Sequence, residues 1–236
     1  MYSLAVCFCD IVLDMHKNML TKQLVVMLYG LPGSGKSFFA RQTAELLHIP
    51  IISSDRIRFE LFEKPQYSKE EQQIVFNLMM LMLEEYSKAG LSAILDVSMN
   101  RSQDRKALRE FAKKQGLSTM LIWLQSDAET CYSRAKSRDG RKVDDKYSSD
   151  MSRETFDMIE KQMQPPQNED AVVVSGKHLY DSQKNVFLRK LRELQILSSD
   201  DSSASGMAMP NLVNLVSSAQ MQAGRVDANR RNVSIS

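Results

Sequence analysis

One short segment of the chain carries the residue types and spacing of a phosphate-binding loop. Residues 30–37 read Gly-Leu-Pro-Gly-Ser-Gly-Lys-Ser, which satisfies the pattern G-x-x-x-x-G-K-[ST]. Glycines let the backbone fold around a phosphate chain with its N–H groups pointing inward, and the helix that follows adds partial positive charge at its N-terminus. In this chemistry Lys36 reaches the β- and γ-phosphates and the Ser37 hydroxyl binds Mg²⁺. Nucleotide contacts are therefore expected at Gly30, Pro32, Gly33, Ser34, Gly35, Lys36, Ser37 and Phe38.

Two aspartates, Asp55 and Asp96, each follow an apolar run. Because the carboxyl ends of parallel strands form the ligand crevice of an open sheet, both carboxylates are expected there. Asp55 would accept a hydroxyl proton as a phosphoryl group arrives, and Arg58, one helical turn later, would hold an anionic acceptor. Asp96 would hold a water on Mg²⁺ or orient the acceptor hydroxyl, so Ser37 and Asp96 are the expected metal-binding residues. Each aspartate also has a structural alternative, an N-cap for Asp55 and a strand-ending turn for Asp96.

A basic stretch runs from Arg134 to Lys142 and contains a glycine at position 140. Arg134 and Arg138 lie four residues apart on one helix face, and an arginine placed there can neutralise charge on a transferring phosphoryl group when a lid closes. A run of charges is otherwise typical of a solvated helix face. In the context of a phosphate-binding loop we expect the lid, and Arg138 is its catalytic candidate.

The elements around these residues alternate between apolar strands and amphipathic helices. Strand patterns cover 24–29, 51–52, 91–97, 119–124 and 172–174, and helix patterns cover 36–47, 68–89, 104–115, 128–137, 151–163 and 181–197. The longest strand runs lack polar alternation, which is typical of strands covered on both faces. The sequence therefore predicts an α/β fold: a three-layer, doubly wound parallel sheet of five strands, in the arrangement of a P-loop NTPase with a helical lid.

The ends of the chain differ from its centre. Residues 1–20 are expected to be a poorly ordered leader. Their apolar patch is not that of a signal peptide, because it is interrupted by Asp10 and Asp14 and lacks a basic region before it. Residues 198–236 are rich in Ser, Ala, Asn, Asp and Met and predict a flexible tail. The domain is expected to span 21–197, with its lid at about 138–150.

Composition limits the class of protein and its partners. Over 236 residues the chain is 43% hydrophobic and 25% charged, with a formal net charge of +2, so no strong field directs it to nucleic acid or anionic lipid. We expect no membrane partner, since no uncharged run is long enough to cross a bilayer. Three cysteines are too few for a disulfide framework, which favours a cytoplasmic location with reduced thiols.

The motifs that follow the loop favour one class of P-loop protein. A guanine-reading N-K-x-D motif and a D-x-x-G switch are absent from the sequence, as are the signature loops of larger motors. The remaining class is the small kinases, with ATP and Mg²⁺ as cofactors and an acceptor hydroxyl across from the nucleotide. The alternative is an ATP-binding or ATP-hydrolysing regulatory module without a dedicated acceptor. The acceptor and the oligomeric state stay open.

Over residues 24–174 the chain resembles the zeta-toxin and polynucleotide-kinase branch of P-loop kinases, whose domains are often described only as AAA-type ATPases. The resemblance rests on the loop at 30–37, Asp55-x-x-Arg58, Leu95-Asp96 with Asn100, Arg138, and Gln164-Pro165-Pro166 followed by Glu169. It implies that Asp55 is the general base, Arg58 grips the acceptor's phosphate, Asp96 positions the acceptor and Arg138 stabilises the transferred phosphoryl group. No D-x-D-G-T phosphatase motif accompanies it. A nucleic-acid 5'-hydroxyl, a sugar, an antibiotic and a nucleotide-sugar are the open acceptors.

Overall fold

The computed structural model describes residues 20–138, 147, 151–167 and 169–197, and within them five strands form one parallel sheet. The order across the sheet is β2-β3-β1-β4-β5, and every neighbouring pair is parallel. The strands are β1 (Leu24–Tyr29), β2 (Ile51–Ser53), β3 (Ala93–Ser98), β4 (Ser118–Gln125) and β5 (Ala171–Ser175). This confirms the predicted five-stranded parallel sheet.

Seven helices connect the strands in the described part of the chain. They are α1 (Lys36–Leu47), α2 (Ser54–Leu61), α3 (Lys69–Lys88), α4 (Ser102–Lys114), α5 (Ala128–Lys136), α6 (Arg153–Gln162) and α7 (Tyr180–Glu193). The last helix ends at Glu193, four residues before the predicted end, because the backbone turns at Gln195, whose φ is 54°. None of these helices combines the length and the apolar character needed to cross a bilayer.

The central strand β1 is buried on both faces, and its alternate residues face two separate apolar clusters. Val26 packs in one cluster with Phe39 of α1 and Phe187 of α7. Met27 packs in the other cluster, to which Met79 of α3 and residues of α4 also belong. Helices therefore cover both faces of the sheet, which confirms the predicted three layers.

The pairing of β3 with β1 is irregular at the point where chemistry is expected. Leu95 pairs with Met27, but the next residue of β1, Leu28, pairs with Ser98. Asp96 and the residue after it therefore form a bulge with respect to β1, while Asp96 keeps its pairing with Ser53 of β2. Bulges redirect side chains at the edges of active sites, and here the carboxylate contacts the first turn of α1.

The two ends of the described chain meet. Leu20 and Leu197 form an isolated antiparallel bridge, and Thr21 donates its backbone N–H to the Ile196 carbonyl oxygen at 2.8 Å. Leu20, which the prediction places in the leader, is 6% exposed and packs in the cluster beneath α1. The rest of the predicted leader and the whole predicted tail lie outside the described residues. So does the predicted lid, apart from Arg138 and Tyr147.

Candidate active site

The loop between β1 and α1 has the backbone conformation that its glycines allow. Gly33 and Gly35 adopt φ values of 81° and 99°, in the left-handed region that residues with a Cβ rarely adopt. A Cβ on Gly33 would also lie 2.1 Å from the Cys131 carbonyl oxygen of α5. Gly35 is the N-cap of α1, and the first turn of this helix has neither a side-chain cap nor an acidic residue. The partial positive charge of the helix N-terminus is therefore available to an anion.

Lys36 folds back over this loop. Its Nζ donates hydrogen bonds to the carbonyl oxygens of Gly30 and Leu31, at 2.9 and 2.8 Å. Burial lowers the pKa of Lys36 to about 8, the negative charges of Asp96 and Asp55 oppose that change, and the positive charge of Arg138 adds to it. The ammonium group is thus held at the loop in surroundings that disfavour its charge, and a phosphate there would relieve that cost.

Ser37 and Asp96 bring a hydroxyl and a carboxylate together. The Ser37 Oγ donates to Asp96 Oδ1 at 3.1 Å, across the junction of α1 and β3. Burial raises the pKa of Asp96, whereas the Ser37 hydrogen bond and the charge of Lys36 act to lower it. The described residues contain no group of three or more His, Cys, Asp or Glu side chains able to hold a metal ion by themselves. A pair of oxygen ligands suits Mg²⁺, which takes most of its coordination from phosphates and water.

Asp55 lies in the first turn of α2 and faces the same region. The N-cap is Ser53, whose Oγ accepts the backbone N–H of Arg56 at 3.4 Å, so the interpretation of Asp55 as the cap is wrong. The Asp55 carboxylate therefore does not cap the helix. Burial raises its pKa, while the charges of Arg58, then Arg138, then Lys36 act to lower it.

Arg58 is only 6% exposed and has neighbours of its own. Its guanidinium carbon lies 4.5 Å from the ring centroid of Tyr67, and its Nε lies 4.0 Å from Glu71 Oε2. That Nε has no hydrogen-bond partner among the described residues. Of the charges that act on Asp55, that of Arg58 has the largest effect, and it stabilises the Asp55 carboxylate.

Arg138 follows the end of α5 and is partly buried. Its charge acts on both Lys36 and Asp55. The structure thus brings Lys36, Asp55, Asp96 and Arg138 into one electrostatic cluster at the carboxyl edge of the sheet. Two cations and two carboxylates in one place can hold a phosphate chain and accept a proton beside it.

Phe38 differs from its neighbours in the loop, because it points outward. It is 46% exposed, and its ring meets Tyr180 edge-on with 6.2 Å between the ring centroids. The expected nucleotide contacts of Phe38, Pro32 and Ser34, like those of the other residues of the loop, remain predictions. Ser34 is buried, and its Oγ has no hydrogen-bond partner among the described residues.

Sequence reasoning missed the residues that support the loop from the side of β4 and β5. A Cβ on Gly176 would lie 2.4 Å from both the Ser34 carbonyl oxygen and the Ser126 Oγ, so only glycine fits after β5. The Gly176 carbonyl oxygen accepts a hydrogen bond from Arg134 Nη1 at 2.9 Å. The one signal in the sequence for this support is a glycine directly after the last strand. Arg41, one turn beyond Ser37, was also missed, although its charge acts on Asp96.

Solved structures of several kinases share this fold at low sequence identity. The chain is 17% identical to the Mycobacterium tuberculosis APS kinase in complex with AMPPNP and APS, with a TM-score of 0.54 over 72% of this chain and 98% of that chain. A gluconokinase from Sinorhizobium meliloti 1021 is 18% identical, with a TM-score of 0.54 over 73% and 93%. A sugar kinase from Janibacter sp. HTCC2649 is 18% identical, with a TM-score of 0.53 over 74% and 95%. The fold is therefore that of the P-loop kinases.

Sequence comparison gives the family. A search of curated proteins found no match to the chain. The family model AAA_33, described as an AAA domain, matches residues 25–166, which is more than half of the chain and includes every catalytic candidate. The chain therefore belongs to the AAA_33 family of AAA domains.

Proposed function

We propose that this protein is an ATP-dependent phosphotransferase that moves the γ-phosphate of ATP to a hydroxyl group of a small acceptor molecule. The observation that carries the proposal is the cluster of Lys36, Asp55, Asp96 and Arg138 beside an open helix N-terminus. Nucleotide binding alone would need the loop and Lys36. A transfer reaction also needs a base, and the Asp55 carboxylate, on which the charges of Arg58 and Arg138 act, can serve as one.

In this proposal the residues of the loop, Lys36 and Arg138 bind the phosphates, and Ser37 and Asp96 bind the metal. The backbone amides of 30–37 bind the phosphates, and Lys36 exchanges its carbonyl partners for the β- and γ-phosphate oxygens. Arg138 stabilises the negative charge of the transferring group. Ser37 and Asp96 would hold Mg²⁺, which when bound neutralises charge on the same oxygens.

Asp55 receives the proton. As the acceptor oxygen bonds to the γ-phosphorus, the bond from that phosphorus to the bridging oxygen breaks and ADP leaves with the electron pair. The hydroxyl proton passes to the Asp55 carboxylate, whose raised pKa makes it a better base than an exposed aspartate. Arg58 keeps the carboxylate ionised until the acceptor arrives.

A small acceptor fits the chain better than a polynucleotide. The formal net charge of +2 supplies little of the phosphate neutralisation on which nucleic-acid affinity depends. The similar solved structures include an APS kinase and a gluconokinase, and they give no support for a nucleic-acid acceptor. Membership of the zeta-toxin and polynucleotide-kinase branch remains part of the proposal, with a nucleotide-sugar, a sugar or an antibiotic as its small acceptors.

The test is transfer from γ-labelled ATP across a panel of sugars, nucleotide-sugars, antibiotics and 5'-hydroxyl oligonucleotides. With the acceptor found, Asp55→Asn is expected to slow transfer at least about 100-fold while the Kd for AMPPNP changes by less than about twofold. The matched control is Glu60→Gln, which removes an exposed carboxylate from the same helix and should leave both values unchanged. Transfer that is insensitive to Asp55→Asn would refute the base. Binding of ATP without transfer to any acceptor would favour a regulatory module instead.

A further inference from the structure

An ion pair between a buried arginine and a partly exposed glutamate lies beside the loop that follows β3. The Arg105 side chain on α4 is fully buried, and its Nε donates to both carboxylate oxygens of Glu169 at 3.0 Å. Its Nη2 also donates to Glu169 Oε1 at 2.6 Å. Glu169 comes from the segment before β5, and it also pairs with Arg109, which is 31% exposed. Hydrogen bonds from Arg105 are the main cause of the lowered pKa of Glu169.

Arg105 contacts the end of β1 and the residue that follows β3. Its Nη1 donates to the Met99 carbonyl oxygen at 2.7 Å, and its guanidinium carbon lies 5.3 Å from the ring centroid of Tyr29. Tyr29 is the last residue of β1, directly before the phosphate-binding loop. Met99 follows β3 and donates its own N–H to the Leu28 carbonyl oxygen at 3.1 Å.

Met99 is one of two fixed points around Asp96. On one side of the bulge Leu95 pairs with Met27 of β1, and on the other side Met99 is held by Leu28 and Arg105. Asp96 lies between these points. A shift of the Met99 carbonyl group is therefore expected to alter the bulge, and with it the distance from Asp96 to Ser37.

The segment that supplies Glu169 makes a second attachment to the same loop. Gln164 Oε1 accepts hydrogen bonds from the backbone N–H and the Oγ of Ser102, both at 2.8 Å. Its backbone N–H donates to the Asn100 carbonyl oxygen at 2.9 Å. The N-cap of α4, Arg101, makes no side-chain cap hydrogen bond, so Gln164 serves as the cap from 62 residues away. Both ends of the 99–102 loop are thus held from the segment before β5: Met99 through Arg105 and Glu169, and Ser102 through Gln164.

Stability alone does not account for a charged pair here. An ion pair in a protein interior is often matched or exceeded in stability by apolar residues of the same volume, because of its desolvation cost. An apolar side chain at position 105 would not donate to the Met99 carbonyl group. We propose that Glu169, acting through Arg105, is a positioning residue that fixes the bulge and so holds Asp96 at Ser37 for Mg²⁺ and ATP. This inference rests on the role proposed above for Asp96.

The test compares two arginines that share one carboxylate. Arg105→Lys keeps the charge but loses the forked contact with Glu169 and Met99, whereas Arg109→Lys alters only the outer contact with Glu169. The readouts are the Kd of AMPPNP without metal, its tightening by Mg²⁺, and hydrogen exchange at the Met99 amide. Arg105→Lys should leave the metal-free Kd within about twofold, reduce the tightening by Mg²⁺ about tenfold, and speed exchange at Met99. Arg109→Lys should leave all three at the wild-type values.

A double variant separates positioning from folding. Arg105→Met combined with Glu169→Gln removes the buried charge and is expected to fold with a Tm near that of the wild type. It still lacks the donor to Met99, so it should lose the tightening by Mg²⁺ as Arg105→Lys does. Wild-type tightening in the double variant, or an equal loss in Arg109→Lys, would overturn the inference. If the wild-type protein bound no AMPPNP at all, the proposed function would fail, while hydrogen exchange at Met99 would still decide whether Arg105 holds the bulge.

Discussion

Binding of ATP is expected to draw a proton onto Lys36. In the ligand-free protein the pKa of Lys36 is lowered to about 8, chiefly by burial. A triphosphate beside the ammonium group favours its charged form and should return the pKa to at least its ordinary value of 10.5. Between these two values, free protein lacks a proton that the complex holds, so binding must take it up from solvent.

The size of the effect follows from the two pKa values. At about pH 9 Lys36 is roughly 0.1 protonated when free and nearly fully protonated when bound, so uptake is about 0.9 proton per ATP. At about pH 7 the free lysine already holds its proton, and uptake falls to about 0.1. The affinity for ATP should therefore decrease nearly tenfold per pH unit above about pH 8.

Isothermal titration calorimetry in buffers of different ionisation enthalpy measures this uptake directly. ATP is used without Mg²⁺, so that no turnover occurs, and near pH 9 its terminal phosphate is already ionised because its second pKa is about 6. The control is Lys36→Arg, in which the guanidinium stays charged and no uptake is expected. Uptake below about 0.2 proton near pH 9, or equal uptake in Lys36→Arg, would refute the reasoning.

Two further predictions concern the glycine loop and the Asp96 carboxylate. Gly33→Ala should lower the free energy of unfolding by well over the roughly 1 kcal/mol typical of a left-handed backbone, because its Cβ would meet the Cys131 carbonyl oxygen. Gly116→Ala is the control, because Gly116 has a φ of 72° but an added Cβ would meet no atom within 4 Å beyond its chain neighbours. This variant should lose only the free energy that the left-handed backbone costs. If urea unfolding shows the same loss of free energy for both variants, the packing argument is contradicted. Asp96→Asn should abolish tightening of AMPPNP by Mg²⁺ yet raise the Tm of the ligand-free protein near neutral pH. The raised pKa of Asp96 means that its ionised form opposes folding above that pKa, so a lower Tm would contradict the assignment.

Local pattern sufficed to predict the sheet and the loop. The apolar run before Gly30 and the glycine spacing after it are properties of adjacent residues, and the structure has β1, the loop and α1 where they were expected. The alternative interpretation of Asp55 as an N-cap is wrong, because Ser53, also a good cap, accepts the Arg56 N–H, and only the folded backbone shows which of the two side chains does so.

The support beneath the site could not be predicted in this way. Arg105 and Glu169 are 64 residues apart, and each resembles a surface charge when its own helix or loop is considered alone. Their pairing depends on the order of strands in the sheet, which brings the segment before β5 against α4. The same holds for Arg134 and Gly176, 42 residues apart. Long-range polar contacts of this kind require the folded chain.

The position of β1 at the middle of the sheet divides the molecule into two halves. Asp55 follows β2 and Asp96 lies within β3 on one side, whereas Arg134 and Gly176 follow β4 and β5 on the other. Substitutions around Asp55 in α2 can therefore alter that side of the sheet, while the contact of Arg134 with Gly176, which supports the loop from the other side, keeps its geometry.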